Sequence, residues 1–480
     1  MIDKQEILTT ATRMSLLPNV VEKDYVLGWM LAGIYAHPDI KDTWVFKGGT
    51  CLKKCFFETY RFSEDLDFTL TEESHLDETF LQRVFGEIGA WIYNETGIEI
   101  PADKQDFDIH QNQRGSMQCE GKITYRGPVS PNSGGLPRIK LDLLADERLV
   151  LAPVKAKVFH PYSDEPGEGI EASCYAYEEV FAEKTRALAE RTRPRDLYDV
   201  INLFRNADAR PTASVMLDVL RQKCEHKGIG LPKLADLEPH RETLASAWES
   251  MLKHQLPSLP SLDTFWSELP AFFEWLASGK APVVPAAYGG STGDRVIRDR
   301  VLRLPIGAER QSYLEVIRFA AANRLCVEMD YRSEKGERSR RMIEPYSLRQ
   351  TQQGDIILHT WDRSRNAHRG FRIDRIEGAR STNQTFAPRY AVELSPQGPV
   401  HAAPAAYRAP APRATFGGVT RTPARRSRQT GGPKYIIQCP VCQKTFTRST
   451  NDRTLNAHKN DWGSRCAGSG RTGYLVDTRY

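Results

Sequence analysis

The sequence predicts an α+β protein of several domains, and three observations support this prediction. The length of 480 residues corresponds to roughly three domains of ordinary size. Alternating apolar residues, typical of strands with one buried face, occur beside helix-length segments in both halves of the chain. Two segments rich in Pro, Gly and Ala, at residues 281–299 and 397–433, interrupt these patterns. We therefore expect domains at residues 1–280, 300–396 and 434–480, joined by two linkers.

The first element that bears on chemistry is an apolar strand followed by a glycine turn, Trp44-Val45-Phe46-Lys47-Gly48-Gly49-Thr50. Glycines let the backbone approach a triphosphate closely, with amide hydrogens turned toward it. A Gly-Gly pair by itself is most often only a turn.

A second strand follows a helix-length segment and contains Ser63-Glu64-Asp65-Leu66-Asp67-Phe68. Because side chains alternate along a strand, Asp65 and Asp67 share one face while Leu66 and Phe68 point into a core. Neighbouring carboxylates repel, and a divalent cation between them keeps both ionised. Mg²⁺ suits such a site, since it is usually held by one or two carboxylates plus substrate phosphates. A bare Asp-x-Asp is also common at a solvated strand edge, but its order and spacing after the glycine turn favour the metal site.

The arrangement resembles the nucleotidyltransferase superfold, and specifically the AbiEii-like toxins of type IV toxin–antitoxin systems. The residues that carry the resemblance are Phe46, Lys47, Gly48, Gly49, Thr50, Leu52, Arg61, Phe62, Ser63, Asp65, Asp67 and Phe68. The segment Glu22-Lys23-Asp24-Tyr25 is similar to the N-terminal helix of that family.

The resemblance implies a polymerase-β-like mixed sheet with a helical C-terminal part. It also implies Mg²⁺-dependent transfer of a nucleotidyl group from an NTP to an acceptor, in a bacterial toxin or phage-defence effector with an antitoxin partner. Gly48, Gly49, Thr50 and Ser63 would then bind the nucleotide.

A third carboxylate is expected from a neighbouring strand, and Asp142 is the candidate. In Arg138-Ile139-Lys140-Leu141-Asp142-Leu143 the apolar residues alternate strictly, so Asp142 lies on the face opposite to the core. There it could complete a metal site with Asp65 and Asp67, although an ordinary exposed strand residue would show the same pattern.

Downstream, a helix around Lys184 leads to the segment Arg195-Asp196-Leu197-Tyr198-Asp199. The compact cation of Lys184 could neutralise the triphosphate as charge develops during transfer. Asp196 and Asp199 share a helix face by their spacing, and the resemblance implies that a Lys and an Asp of this region are functional. Spacing does not decide between the two aspartates, and a pair of surface salt-bridged helices is the alternative.

Residues 300–396 combine an amphipathic helix at Ser312–Asn323 with short alternating strands, which predicts a small β-barrel. Their order resembles a WYL domain, a bacterial ligand-sensing module with an Sm-like barrel, but Ile356-Ile357-Leu358 stands where that family has Trp-Tyr-Leu. Arg369, Arg372 and Arg375 would form a basic face for a nucleotide or single-stranded nucleic acid. The alternative is that Arg372 and Arg375 only pair with Asp374 and Glu377.

The last domain contains Cys439, Cys442, His458 and Cys466. Two thiolates on a tight turn, with a His and a Cys from a following helix, suit tetrahedral Zn²⁺ in a structural role. The gap between His458 and Cys466 is longer than usual for a finger, and Cys466 is the least secure ligand.

Charge is distributed unevenly along the chain. Residues 1–280 carry a net charge of −12 and residues 281–480 a net charge of +17. A basic half of this size favours a polyanion partner, because phosphate neutralisation releases counterions. RNA, plausibly the 3′ end of tRNA, is the acceptor that the resemblance implies.

The N-terminus has no signal-peptide pattern and no run of eighteen apolar residues occurs. We therefore expect a bacterial cytoplasmic protein with no membrane partner.

Two classes of function remain open. The first is a nucleotidyltransferase with Asp65, Asp67 and Asp142 around Mg²⁺. The second is a nucleic-acid- or nucleotide-sensing regulator in which the transferase domain is vestigial. The complete carboxylate set, and the lack of a helix-turn-helix pattern ahead of residue 300, favour the enzyme.

Overall fold

The chain folds into two compact units, Met1–Phe416 and Gly417–Tyr480. The structure is a computed structural model. It describes residues 1–57, 61–112, 114–131, 135–207, 209–280, 283, 285–288, 294–297, 308–394, 434–442, 444–448, 452–458, 465–469 and 471–479. The predicted linker at 397–433 therefore lies outside the described residues, as does most of the linker at 281–299.

The first unit begins with a mixed seven-stranded sheet, as the sequence predicted. Its strands are β1 (Trp44–Lys47), β2 (Asp65–Leu70), β3 (Asp106–Gln111), β4 (Met117–Thr124), β5 (Arg138–Leu144), β6 (Val154–Val158) and β7 (Ile170–Cys174). They lie in the order β3-β4-β5-β2-β1-β7-β6. The pairs β2–β5 and β1–β7 are parallel, and the other neighbours are antiparallel.

Helices cover the sheet and then form a helical C-terminal part. They are α1 (Lys4–Met14), α2 (Pro18–Ala36), α3 (Gly48–Cys51), α4 (Glu78–Thr96), α5 (Tyr177–Arg191), α6 (Pro194–Arg205), α7 (Ala213–Lys227), α8 (Leu234–Leu237), α9 (Arg241–Leu252), α10 (Leu262–Trp266) and α11 (Leu269–Ser278). A π-helical turn, Leu52–Phe56, continues α3. Their ends follow local rules: the side chain of Asp77 caps the start of α4, and Gly97 ends it in the left-handed conformation.

The apolar core lies on one face of the sheet. Leu66 and Phe68 are fully buried, whereas Asp65 and Asp67, which alternate with them along the strand, are only partly buried, as predicted. The ring of Phe68 packs against those of Trp44 and Phe46. This burial fixes the face on which the carboxylates must lie.

A second sheet follows, covered by helix α12 (Ala308–Ala322). Its strands are β8 (Arg295–Val296), β9 (Leu325–Arg332), β10 (Arg338–Gln350), β11 (Ile356–Asp362), β12 (Ala367–Arg372) and β13 (Ile376–Thr385). The order is β12-β11-β10-β9-β13, with β8 paired to β10. In the described part of the chain β12 and β13 do not pair, so the sheet is open and the predicted Sm-like barrel is not confirmed. The helix buries Leu314, Ile317 and Ala321, as predicted.

The second unit contains a three-stranded antiparallel sheet. Strands β14 (Lys434–Gln438), β15 (Thr445–Arg448) and β16 (Tyr474–Arg479) lie in the order β15-β14-β16. Ile437 and Leu455 form its small core together with Cys439 and Cys466. No helix follows the first cysteine pair among the described residues of this unit, contrary to the expectation.

None of the described helices combines the length and apolar character needed to span a membrane.

Candidate active site

Three predicted carboxylates meet on one face of the first sheet. Asp65 and Asp67 lie on β2, and Asp142 is the direct cross-strand partner of Asp67 on the parallel strand β5. Neighbouring strands lie about 5 Å apart and paired residues share a face. The sheet therefore holds the carboxylates of Asp67 and Asp142 side by side, with Asp65 one step along the strand.

The row that contains Asp67 and Asp142 extends in both directions. Glu120 on β4 is paired with Asp142, and Lys47 on β1 is paired with Asp67. Beyond Glu120 the row ends at Asp108 on β3. Glu120 is not among the residues predicted from the sequence, and Lys47 enters that prediction only through the family resemblance. Alternation along β4 gives the face of Glu120, but only the pairing of β4 with β5 gives its position.

The electrostatics of this row favour the binding of a cation. Burial raises the pKa of Asp67 to about 6, and the charges of Asp142 and Asp65 add to this effect, while Lys47 and Lys184 oppose it. Burial also raises the pKa of Asp142, although the ammonium of Lys140 lies only 3.0 Å from its carboxylate. A divalent cation would remove the repulsion that disfavours the ionised forms.

The glycine turn packs directly against Asp67. Gly48 has a φ of +83°, and a Cβ placed on it would lie 2.1 Å from Oδ2 of Asp67. A Cβ on Gly49 would lie 2.7 Å from Nη2 of Arg61 and 3.0 Å from Oγ of Ser63. The hydroxyl of Thr50 donates a hydrogen bond to the backbone carbonyl of Asp65. Of the five residues predicted to bind the nucleotide, Gly48 therefore lies against Asp67, Gly49 lies against Ser63, and Thr50 bonds the backbone of Asp65. The fifth, Lys184, lines the cavity beside Asp67.

A cavity of about 270 Å³ opens on the same row. Five carboxylates line it, together with the cations Lys47, Lys184, Arg186 and Arg191: Asp67, Glu120, Asp142, Glu147 and Glu183. Glu147 lies 3.8 Å from Lys47, and Glu183 pairs with Arg186 at 2.6 Å. Basic side chains beside carboxylates can accept a polyphosphate next to a metal ion.

Asp199 holds two of the cations that surround the site. Its fully buried carboxylate accepts hydrogen bonds from Nε and Nη2 of Arg61, both at 2.8 Å, and lies 2.8 Å from Nζ of Lys184. Burial alone would raise the pKa of Asp199, but Arg61 and Lys184 outweigh it and lower that pKa far below its usual range. The geometry makes Asp199 a positioning residue for Lys184.

Asp196 has a similar role toward a different cation. Its buried carboxylate accepts hydrogen bonds from Nε and Nη2 of Arg191 at 2.8 and 2.9 Å. Each aspartate thus holds one basic residue of the cavity wall, Asp199 Lys184 and Asp196 Arg191.

The three arginines expected to form a basic face lie on or beside β12. Arg369 is exposed on β12. Arg372 pairs with Asp374 at 3.0 Å and with Asp355 at 2.8 Å, and Arg375 lies 3.3 Å from Glu334. The pairing of Arg372 and Arg375 with acidic residues corresponds to the alternative that the sequence left open, with different partners for Arg375.

The predicted zinc ligands come together in the second unit. One donor atom from each of Cys439, Cys442, His458 and Cys466 lies within 4.8 Å of the others. Nδ1 of His458 bonds the carbonyl of Asn456 at 2.8 Å, while its Nε2 is buried without a hydrogen-bond partner. That arrangement fixes the tautomer of a metal-binding histidine.

The backbone near the thiolates completes this cluster. The amide of Val441 bonds the sulfur of Cys439 at 3.4 Å, and the amide of Gly468 bonds that of Cys466 at 3.3 Å. A Cβ on Gly468 would lie 2.3 Å from the sulfur of Cys439. The site therefore fits a tetrahedral cation with sulfur and nitrogen ligands.

Comparison with known proteins identifies two family matches. A family model described as a nucleotidyl transferase AbiEii toxin of a type IV toxin–antitoxin system matches residues 29–278, and a WYL domain model matches residues 312–381. No curated protein matches the chain significantly.

Two solved structures were also compared. MenT4, a nucleotidyltransferase toxin from Mycobacterium tuberculosis H37Rv, is 17% identical with a TM-score of 0.38, over 58% of this chain and 90% of that chain. The proteasome accessory factor PafBC of Arthrobacter aurescens is 13% identical with a TM-score of 0.16, over 55% of this chain and 48% of that chain. The family match over residues 29–278 is the informative result, because it spans half of the chain and contains the whole carboxylate row.

Proposed function

The chain belongs to the nucleotidyl transferase AbiEii toxin family of type IV toxin–antitoxin systems and is a nucleotidyltransferase, and from this we propose that it transfers a nucleotidyl group from an NTP to RNA. The observation that supports the chemistry best is the pairing of Asp67 with Asp142 across β2 and β5, with Asp65 on the same face.

We assign Asp65, Asp67 and Asp142 as the ligands of Mg²⁺. The fit rests on the donor set: three carboxylates on one face, two of them with raised pKa values that a cation would lower again. Bound Mg²⁺ would activate the acceptor hydroxyl and neutralise charge on the phosphates. Lys140, now 3.0 Å from Asp142, would give up part of that interaction when the ion binds.

The remaining cavity residues are assigned to the donor nucleotide. Gly48 and Gly49 bring backbone close to Asp67 without a side chain between, so phosphates can lie beside the carboxylates. Lys184 and Arg191 neutralise the triphosphate, and Asp199 and Asp196 hold these two cations in place. Each cation thus reaches the phosphates already oriented, which reduces the entropy lost on binding.

The acceptor that we propose is RNA, plausibly the 3′ end of tRNA. The support is the net charge of +17 over residues 281–480, which favours a polyanion. In this function the protein is a toxin or phage-defence effector of the bacterial cytoplasm, neutralised by an antitoxin partner. Zn²⁺ held by Cys439, Cys442, His458 and Cys466 has a structural role, because four protein ligands leave no open position.

The test is a labelling experiment. Purified protein is incubated with each labelled NTP and total bacterial RNA, with and without Mg²⁺. We expect Mg²⁺-dependent label on RNA, none with the Asp65→Asn, Asp67→Asn double variant, and full labelling with Asp108→Asn. The last variant is a matched control, because Asp108 lies at the far end of the same row. Equal labelling by the double variant and the wild type would contradict the assignment.

A second candidate function is supported by the WYL match at residues 312–381. In this case the second sheet senses a nucleotide or nucleic acid, Arg369, Arg372 and Arg375 contribute to that surface, and the first sheet is vestigial. Nucleic-acid binding without any transfer to RNA or protein, under every NTP, would favour this second function.

A further inference from the structure

A second and larger cavity lies within the first unit. Its volume is about 990 Å³, and α6 with the loop after it, α10, the end of α12 and the segment 385–394 line it. It shares no lining residue with the cavity at the carboxylate row. Ligand sites of about 300 to 1,000 Å³ occur preferentially between domains, as here between the transferase helices and the WYL part.

The acidic residues of the wall are already neutralised. Asp263, Glu268 and Glu393 each lie within 3 Å of a basic side chain of their own. The pairs are Asp263 with Arg241 at 2.8 Å, Glu268 with Arg205 at 2.7 Å, and Glu393 with Arg349 at 2.9 Å. Each of these carboxylates therefore has an arginine partner other than Arg210 and Arg324.

Two further arginines leave positive charge in excess. Nε of Arg210 bonds the carbonyl of Phe204 at 2.8 Å, and Nη1 of Arg324 bonds that of Ala321 at 3.1 Å. In the described part of the chain no carboxylate lies within 4 Å of either guanidinium. Burial lowers the pKa of Arg324 to about 10; the charge of Arg205 adds to the effect, and that of Glu268 opposes it. Both arginines are partly buried, and a partly buried cation without an ion pair favours an anion that is supplied from outside.

The backbone places Arg324 at the cavity wall. The residue follows the end of α12 and has a φ of +56°, much as Ser15 and Thr192 end α1 and α5 with φ values of +53° and +43°. The left-handed turn stops the helix there and leaves the side chain of Arg324 in the lining of the cavity.

The rest of the wall is suited to a flat apolar group. Phe204, Phe386 and Tyr390 line the cavity, and Tyr390, which is only partly buried, has the most accessible ring of the three. The guanidinium of Arg210 lies 4.5 Å from the centre of the Phe204 ring. A planar fork of N–H donors beside aromatic surface matches a phosphate attached to a base.

We propose that this cavity binds a nucleoside monophosphate, with Arg210 and Arg324 on its phosphate and the aromatic wall against its base. The site is separate from the donor site of the transferase and does not depend on the transfer reaction. Helix α6 joins the two, because it presents Arg205 to this cavity and Asp199 to Lys184. A ligand here is thus one helix away from the residues assigned to the triphosphate.

The experiment is calorimetric titration of the full chain, without Mg²⁺, with AMP, GMP, CMP, UMP and inorganic phosphate. We expect at least one nucleotide to bind once per chain and inorganic phosphate to bind at least tenfold more weakly. Arg210→Gln and Arg324→Gln should each weaken nucleotide binding at least tenfold. Arg380→Gln, a matched exposed arginine paired with Glu328 at 2.7 Å, should leave the Kd unchanged.

The variant Lys184→Ala tests whether the two sites are distinct. It alters only the donor cavity, so the Kd of the nucleoside monophosphate at the larger cavity should be unchanged. The proposal is overturned if no nucleotide binds, if phosphate alone binds as tightly, or if Lys184→Ala abolishes binding. It is also overturned if binding survives in both arginine variants. If the thermal transition shows that Arg324→Gln does not fold, the nucleotide affinity of Arg210→Gln tests the proposal. Arg210 makes no ion pair within the described residues, so its replacement breaks none there. None of these outcomes depends on whether transfer is detected.

Discussion

Asp67 is flanked in the sheet by Lys47 on one side and Asp142 on the other, and the proposed chemistry depends on it most directly. We predict that Asp67→Asn reduces RNA labelling by at least about 100-fold, because even groups that only orient a metal ligand contribute roughly 10- to 100-fold. The free energy of unfolding without metal should stay equal or rise, since the change removes a carboxylate that burial and two like charges disfavour. Labelling and urea denaturation of the same preparation measure both effects.

Asp108→Asn is the matched control for this prediction, since it is the same substitution in the same row, at a mostly exposed position. It should leave labelling and stability unchanged. A large loss of stability in Asp67→Asn would show that the residue is structural, and its activity would then say nothing about metal binding.

Asp199 gives a pH-dependent prediction. Asp199→Asn leaves Arg61 and Lys184 buried without their counter-ion, and we expect the free energy of unfolding to fall by about 3–5 kcal/mol at neutral pH. Because the folded-state pKa of Asp199 lies far below its unfolded value near 3.9, its contribution is complete above about pH 5 and is lost progressively as the pH falls through about 4 toward the folded-state pKa. The difference in the free energy of unfolding between wild type and variant should therefore be equal at pH 7 and pH 5 and smaller at pH 3.

Urea denaturation at pH 7, 5, 4 and 3 measures this difference, and other titrating groups cancel in the comparison. Asp218→Asn, an exposed aspartate on α7 that lies 3.5 Å from Arg221, should have no such effect. A difference that stays constant down to pH 3 would show that Asp199 does not carry the ion-pair energy.

At the scale of elements, the junction of β1 and α3 leaves no room for a side chain at Gly48. Gly48→Ala should abolish transfer, because its Cβ would lie 2.1 Å from Oδ2 of Asp67 and would displace that carboxylate. Gly97 ends α4 at a φ of +80° with open space around the added Cβ. Gly97→Ala should therefore cost only the roughly 1–2 kcal/mol of a left-handed backbone and leave transfer intact.

Transfer rates and thermal unfolding of the two glycine variants make the comparison. The backbone penalty is common to both, so the excess effect in Gly48→Ala reports the contact with Asp67. Equal effects of the two substitutions on transfer would show that the close approach of Gly48 to Asp67 is not required for transfer.

The small sheet of the second unit should depend on its metal. Chelation of zinc should unfold the segment around Cys439 and Cys466, because so few apolar side chains form its core. Limited proteolysis should then cleave residues 434–480 first. Labelling of a short RNA should continue after chelation, because the carboxylates lie on the first sheet. Loss of labelling on chelation would show that transfer depends on the folding of residues 434–480.

At this scale, the sequence predicts the features that local periodicity determines, such as the face of a sheet on which a side chain lies. The alternation of Asp65 and Asp67 with Leu66 and Phe68 gave their face correctly, since the period of a strand is local. The place of Glu120 beside Asp142 depends on the pairing of β4 with β5, which side chains far apart in the chain determine. Closure of the second sheet depends in the same way on contacts between strands that are far apart in the chain, and the barrel predicted from short alternating strands is not confirmed.

For the whole molecule, contacts tie the transferase part to the WYL part. Nη1 of Arg205 donates to the carbonyl of Ala322, and Oγ of Ser258 donates to that of Ser381 at 3.0 Å. A chain cut near residue 279 would expose these surfaces. The boundary between the two compact units, after Phe416, is therefore the better place to separate the basic tail.

The last prediction concerns that tail. The full chain has a net charge of +5, and residues 417–480 contain twelve Lys and Arg against three Asp, so a chain ending at Phe416 has a net charge of −4. We expect the shorter chain to lose most of its RNA affinity. The full chain should show the steeper fall of log affinity with log salt, because each phosphate neutralised by a cation releases counterions.

Affinities of both chains for one RNA, measured across a salt series, make the test. A full-length chain with Arg421, Arg425, Arg426 and Arg428 replaced by Gln is the matched control, since it keeps the length and the Cys439 segment while removing four charges. It should fall between the other two in affinity and in salt dependence. If instead all three bind RNA alike, the tail is not the nucleic-acid surface, and recognition of the acceptor must lie with the basic residues around the carboxylate row.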